Sequence, residues 1–305
     1  MRILLAGASG FLGTRLAERL RAAGHDITRL VRRPARAADE APWEPSSGQL
    51  DPALPAGADV VINLAGANVG DHRWTAAYKS KLRSSRVDTT GTIARTITQL
   101  PAVDRPATLI QASAVGWYGD TGDREVTEET AAGRTFLADL CRVWEAAARP
   151  AEDAGTRVVL LRTGLPVDAD GGLLKPLLLP FKLGAGAKIG GGRQWMPWIA
   201  LSDWLGAVDF LLEREDLAGP VNVVAPNPAT NAEFTKAFGR AVHRPALFAI
   251  PGFTLDVALG EFAGELQRSQ RVLPAVLERA GFRWSYPDID RALRTALDRE
   301  PAAPR

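Results

Sequence analysis

Along the chain, short apolar runs alternate with longer stretches in which apolar residues return every three or four positions. From Arg2 to Ala6 the run is apolar, and "LGTRLAERLRAAG" then puts Leu12, Leu16 and Leu20 on one helical face, with charges opposite and Gly24 as the stop. That pattern predicts strand, turn, helix. The β-branched-rich runs "HDITRLV", "ADVVINLAG", "ATLIQAS" and "TRVVLLRTG" predict further strands, and Trp74 to Thr98 and Phe136 to Ala154 predict helices between them. Short apolar strands linked by helical crossovers need cover on both faces, so the expected fold class is α/β, a doubly wound parallel sheet.

The stretch "PVDADGGLLKPLLLPFKLGAGAKIGGGRQWMPW" breaks this rhythm, being rich in Gly and Pro with no clean period. "LSDWLGAVDFLLERE" and "GPVNVVA" then resume one helix and one strand, and a mostly helical tail follows through "NAEFTKAFGRAVH", "LPAVLERAGF" and "IDRALRTALD". No linker-like segment divides the chain. The expectation is a nucleotide-binding domain of residues 1–165 plus about 200–225, and a small, mostly helical C-terminal substrate lobe of about 166–199 plus 226–305. Substrate is expected beyond the carboxyl ends of the strands, between the lobes.

Composition narrows the class without choosing a function. A chain of 305 residues with 46% hydrophobic and 24% charged residues has the make-up of an ordinary globular protein. Its 37 basic and 35 acidic residues are interspersed, which gives no stripe for nucleic acid or an anionic membrane and points to a small-molecule partner. Cys141 is the sole cysteine, so no intrachain disulfide can form, and a cytoplasmic protein is expected. The opening "MRILLAGASG" is too short to span a bilayer and leads straight into a glycine motif, and no later stretch is long enough.

That motif, "GASGFLG", places Gly7, Gly10 and Gly13 between a strand and a helix. Small residues there permit a tight turn and let backbone N–H groups reach a pyrophosphate, whose charge the helix N-terminus favours. The second strand ends "LVRRP", so Arg32 and Arg33 stand where an NAD-preferring site carries an acid for the ribose 2′-hydroxyl. A guanidinium there pairs with a 2′-phosphate through bonds worth about 1.5–3 kcal/mol each, which selects NADP over NAD; the alternative is two surface arginines flanking a turn. "NLAG", Asn63 to Gly66, offers small residues where a cofactor ribose would pass. The sheet is then of the Rossmann kind.

Together these residues resemble the short-chain dehydrogenase/reductase superfamily, in its extended, sugar-nucleotide-epimerase-like branch. The segments "RWTAAYKSKLRSSRVDTT", "QASAVGWYGD", "GGRQWMPWIALSDW", "GPVNVVAPNPATNAEF" and "SQRVLPAVLERAGF" are similar to the epimerase family protein group of atypical reductases, with that group's C-terminal domain, nearly from end to end. The resemblance implies NADP(H) held by the backbone of Gly7 to Leu12, Phe11 included, by Arg32, by Asn63, Leu64 and Ala65, and by Arg86 of "SSRVDTT". It implies that Leu165 lies near the nicotinamide. Arg86 has an alternative as a solvated helix-face charge.

Reductases of this superfamily carry a Tyr-x-x-x-Lys pair on the helix after the fifth strand, one helical turn apart, so that lysine lowers the tyrosine pKa and the phenol works as acid or base. In "TFLADLCRVWEAAA" the corresponding places hold Leu137 and Cys141. Ser113 matches the serine at the strand end, Tyr118 follows in the Tyr-Gly pair, and Asp88 stands where many relatives use asparagine. Ser113 and Tyr118 are the catalytic candidates; Ser113 could instead cap backbone, and Tyr118 could be a ring packed under the loop. Cys141, on an apolar helical face, is expected to be structural. His25, His72 and His243 lack metal-ligand spacing, so no metal is expected. Lys79 and Lys81 are expected to be solvated, and Trp74, Trp195, Trp198 and Trp204 form either an apolar substrate wall or core. Two functions stand open: an oxidoreductase or epimerase acting on a small carbonyl or sugar-like substrate without the usual acid, and a non-catalytic NADP(H) sensor or scaffold.

Overall fold

The computed structural model describes residues 1–298, so the end of the expected C-terminal lobe, 299–305, lies outside the described residues. Its central sheet has seven strands. Numbering the first five β1 (Arg2–Ala6), β2 (Asp26–Val31), β3 (Glu40–Pro42), β4 (Val60–Asn63) and β5 (Thr108–Ala114), the order is 219–223, 157–163, β5, β4, β1, β2, β3. β1 pairs in parallel with β2 and β4, aligning Ala6 with Leu30 and with Asn63, and β4 pairs in parallel with β5. Sequence order reverses between β1 and β4, so their carboxyl ends flank the switch point where ligands bind in such sheets.

Helix α1 (Phe11–Ala22) buries Gly13, Leu16, Ala17 and Leu20, spaced to keep one face on the sheet. Leu12 is only half-buried, because the first turn is still leaving the loop. The long helix Ala76–Gln99 starts at Thr75, whose hydroxyl accepts from the Tyr78 N–H at 3.1 Å. It buries Thr89, Thr90, Thr92 and Thr96; Thr89 and Thr96 donate back to carbonyls one turn earlier, which satisfies hydroxyls that water cannot reach. The helix expected over 136–154 is two pieces, Phe136–Ala146 and Arg149–Asp153. Pro150 is the cause: without an N–H it cannot continue the first helix, yet it fits the first turn of the second.

The chain gathers into two compact units. The first holds Met1–Trp117, Phe136–Arg162 and Leu211–Val221; the second holds Tyr118–Thr135, Thr163–Phe210 and the chain from Asn222. Relative to the sequence expectation, 118–135 and most of the helix Leu201–Glu213 fall in the second unit. Two pairings explain this. The strand Glu125–Val126 runs parallel to Arg271–Val272, and the Asp203 carboxylate accepts from the N–H groups of Ser285 at 2.8 Å and Tyr286 at 2.9 Å. The second unit has several short strands, Leu165–Asp168 and Trp198–Ala200 among them, and helices that include Asn231–Ala241 and Ile289–Asp298. The helix Asn231–Ala241 is set by a capping box between Thr230 and Glu233. Among the described residues no helix is long and apolar enough to cross a membrane.

Asp203 is buried, and its removal strands two N–H groups. Asp203→Ala is expected to cost about 2–4 kcal/mol, read as a lowered urea midpoint, against about 1 kcal/mol or less for Glu213→Ala at the exposed end of the same helix.

Candidate functional site

At the end of β1 the backbone turns through Gly7 at φ +82°, where L side chains are strained. Space matters more than torsion here. A Cβ on Gly7 would lie 2.6 Å from the Leu64 carbonyl carbon and 2.7 Å from the Ala65 nitrogen, and one on Gly13 would lie 2.1 Å from the Gly7 oxygen. Both glycines are therefore required by backbone meeting backbone. Gly10 is the N-cap of α1 without a side-chain cap, and the first turn carries no acid. The amino end of the helix thus keeps its partial positive charge and the N–H groups that an anion would use.

The facing wall is the turn after β4. Asn63 is fully buried: its amide nitrogen donates to Thr90 Oγ1 at 3.1 Å and to Gln111 Oε1 at 2.9 Å, and its oxygen accepts from the Ala65 N–H at 3.1 Å. Trp144 Nε1 also donates to Thr90 Oγ1, at 3.0 Å. The Asn63 side chain therefore holds the turn in shape, and what the turn offers a ligand is the backbone of Leu64, Ala65 and Gly66. Thr90, which the sequence did not single out, meets Asn63. Asp88 sits half-buried two residues earlier on the same helix.

The two arginines after β2 are not equivalent. Arg33 forms a two-pronged pair with Glu40, at 2.8 and 2.7 Å, which together with the Arg36 N–H holds the Glu40 carboxyl at about 2. Arg32 is exposed and makes no hydrogen bond or ion pair with the described residues. An open cavity of about 640 Å³ lies here, lined by Arg32, Trp43, Glu44, Arg95 and Gln99 among others.

On the helix Phe136–Ala146, Leu137 and Cys141 pack against Gly116, whose Cβ would meet Leu137 Cβ at 3.1 Å and Cys141 Sγ at 3.7 Å. Burial pushes the Cys141 thiol up to about 12, so neither place holds an acid, base or nucleophile at neutral pH. Ser113 Oγ donates to Glu145 Oε1 at 2.6 Å. Glu145 also takes two bonds from Arg162, at 2.9 and 3.0 Å, and the Arg162 guanidinium lies 3.9 Å from the Trp117 ring centre. This buried chain occupies the end of β5. Arg162 escaped the sequence reading; a charged residue inside the apolar run "VVLLRTG" was the available signal. The Tyr118 phenol, 3% exposed, donates to Asn222 Oδ1 at 2.7 Å.

Other side chains named from sequence have structural partners. Lys79 lies 5.0 Å from the Phe136 ring centre and Lys81 6.0 Å from that of Tyr78. Trp74, Trp198 and Trp204 are buried, with indole N–H groups bonded to Val69 O, Asn227 O and Thr163 Oγ1, which is how core tryptophans behave. Trp195 is half-buried under Arg271. Leu165 opens its strand, its N–H bonded to Pro197 O at 2.7 Å. Among the described residues there is no group of three or more His, Cys, Asp or Glu side chains able to hold a metal ion.

Residues 3–225 match the NAD dependent epimerase/dehydratase family, and 250–296 match a domain of unknown function, DUF1731. The chain is 45% identical over 298 residues to an epimerase family protein of Mycobacterium bovis, covering 97% of this chain and 98% of that one. It is 37% identical to the epimerase family protein SDR39U1 of Bos taurus, covering 97% and 100%. Its fold matches the crystal structure of human epimerase family protein SDR39U1 with NADPH at a TM-score of 0.89 and 34% identity, over 98% of this chain and 99% of that one.

Removing one partner of the buried pair leaves an unpaired charge. Glu145→Ala is expected to cost about 3–5 kcal/mol in chemical unfolding, whereas Glu145→Leu combined with Arg162→Met recovers most of that loss. Cys141 should be silent to thiol reagents at pH 8 in the folded protein and react on unfolding. Since its folded pKa lies above the ordinary 9.0, thiolate forms first in the unfolded chain, so Cys141 subtracts stability as pH rises from about 9 toward 12 and has no effect below. A pH series of unfolding on wild type and Cys141→Ala checks that sign.

Proposed function

The chain belongs to the NAD dependent epimerase/dehydratase family, and on that premise we propose that it binds NADP(H) and reduces a small carbonyl substrate. The observation that carries the cofactor reading is the pairing of a glycine cradle, which any Cβ would fill, with an exposed arginine after β2 that makes no hydrogen bond or ion pair among the described residues and acts only electrostatically on Glu44. The amino end of α1 would hold the pyrophosphate, the backbone of Leu64 to Gly66 would pass beside a ribose, and Arg32 would take the 2′-phosphate. Arg33 is held by Glu40 and would contribute to the shape of the turn instead. Bound NADPH supplies a hydride equivalent. The human relative determined with NADPH supports the same choice of cofactor.

A second reading is a non-catalytic NADP(H) sensor. It is favoured by one observation: Leu137 and Cys141 present an apolar surface where the superfamily keeps its acid and cation, while the nucleotide cradle is intact. NADPH deuterated at the transferable position, incubated with the protein and a metabolite extract, separates the two. Deuterium appearing in a metabolite, absent from an Arg32→Ala control, supports the reductase; NADPH bound with no label transferred supports the sensor.

Arg32→Ala should weaken NADPH about tenfold or more by calorimetry and leave NADH nearly unaltered, since only the former carries the 2′-phosphate. Arg33→Ala should change the ratio of the two affinities much less. The reverse ranking would assign the phosphate to Arg33.

A further inference from the structure

The strand Phe248–Ile250 has one edge with which no strand of the described residues pairs. Its other edge runs parallel to Ala187–Ile189 in a sheet of two strands, and the Gly190 N–H donates to Ile250 O at 2.9 Å. Backbone groups of successive strand residues point to opposite sides, so those of Ile250 face the partner strand and those of Ala249 face away from it. Ala249 is exposed, as are Leu247 and Phe248 beside it. A bare apolar edge of this kind is a template for another strand.

The helix that follows, Gly252–Leu259, extends the same surface. Thr254 and Asp256 are the only polar side chains of its sequence GFTLDVAL, yet none of its residues is buried. A helix apolar on nearly all sides normally lies inside a protein. Leu183 borders this stretch, because Arg244 Nε donates to Lys182 O at 3.2 Å. Leu183, Leu247, Phe248, Phe253 and Val257 are each 60–83% exposed. Together they open on the order of 600 Å² of apolar surface, as much as the largest patch of an ordinary monomer and most of the ~800 Å² per partner that a specific dimer buries.

Charge at the two ends of the stretch decides what fits it. From Ala246 to Leu255 no residue is charged; Arg244 stands before this run and Asp256 directly after it, both exposed. The Arg244 guanidinium donates to the carbonyls of Lys182 and His243, and the Asp256 carboxylate accepts from Gln267 Nε2 at 3.0 Å. Neither has an ion-pair partner among the described residues. A second copy of the chain laid antiparallel about a two-fold axis brings each Arg244 toward Asp256 of the other copy, whereas a parallel arrangement sets like charges together. We propose that this face joins two copies of the chain, each Ala249 donating its N–H to, and accepting at its carbonyl from, Ala249 of the other. A two-fold pair uses each free edge once, so the assembly closes as a dimer. Pro251 stops the strand directly after Ile250, which keeps the pairing short and leaves the apolar side chains to supply most of the contact. The sequence beyond residue 298, REPAAPR, has no large apolar side chain with which the chain could cover its own patch.

Sedimentation velocity of the full chain, over a concentration series up to about 0.1 mM, reads the outcome. The wild type should populate a dimer. Ala249→Pro removes the outward N–H and keeps every bond to Ala187–Ile189, so it should fold and weaken the dimer about tenfold or more. Arg244→Glu should also weaken it about tenfold, and adding Asp256→Arg should recover the wild-type constant, which an association without fixed register would not do. Near-UV circular dichroism checks that the variants fold, and the charge exchange decides even if Ala249→Pro does not. A monomeric wild type, whether free or captured by phospholipid vesicles, would overturn the proposal. So would growth past the dimer, a dimer indifferent to Ala249→Pro, or no recovery in the exchanged pair.

Discussion

The nucleotide end of the first unit depends on how closely two backbones approach. Gly7 presses on the peptide between Leu64 and Ala65, and Gly13 presses on Gly7, so the end of β1, the start of α1 and the turn after β4 form one rigid seam. Asn63 extends the seam sideways to β5 through Gln111 and to the helix Ala76–Gln99 through Thr90, where the Trp144 indole brings in a further helix. Buried hydrogen bonds of this kind specify position more than they add stability, because each replaces one made to water.

Two buried arginines of this unit illustrate opposite electrostatic solutions. Arg162 meets a carboxylate two-pronged and is stacked on Trp117, so its charge is cancelled close by. Arg86 has only a carbonyl and an indole face, and its positive field extends into its surroundings. The first arrangement orders the end of β5 around Ser113. The second leaves a positive charge acting on the Cys141 thiol.

The sheet and the glycine cradle were legible in the sequence because both are written in local spacing: apolar runs of strand length, a helical repeat starting at Leu12, glycines at the junction. What was not legible depends on partners far along the chain. Arg32 and Arg33 are neighbours in one dipeptide, and only the pairing of β2 with β3, which brings Glu40 alongside, tells them apart. The Tyr118 hydroxyl finds Asn222, and Ser113 finds Glu145, through tertiary contacts that no periodicity encodes. The break between Phe136–Ala146 and Arg149–Asp153 was available in Pro150 and was overridden by the helical pattern on either side. The segment 118–135 could be assigned to its unit only once its short strand had found Arg271–Val272.

The buried Arg86 cation also limits what the helix Phe136–Ala146 can carry. A lysine in place of Cys141 would set an ammonium beside the Arg86 guanidinium, and Glu145, the acid one turn further along that helix, is already paired with Arg162. Such a substitution is therefore unfavourable unless its neighbours change with it.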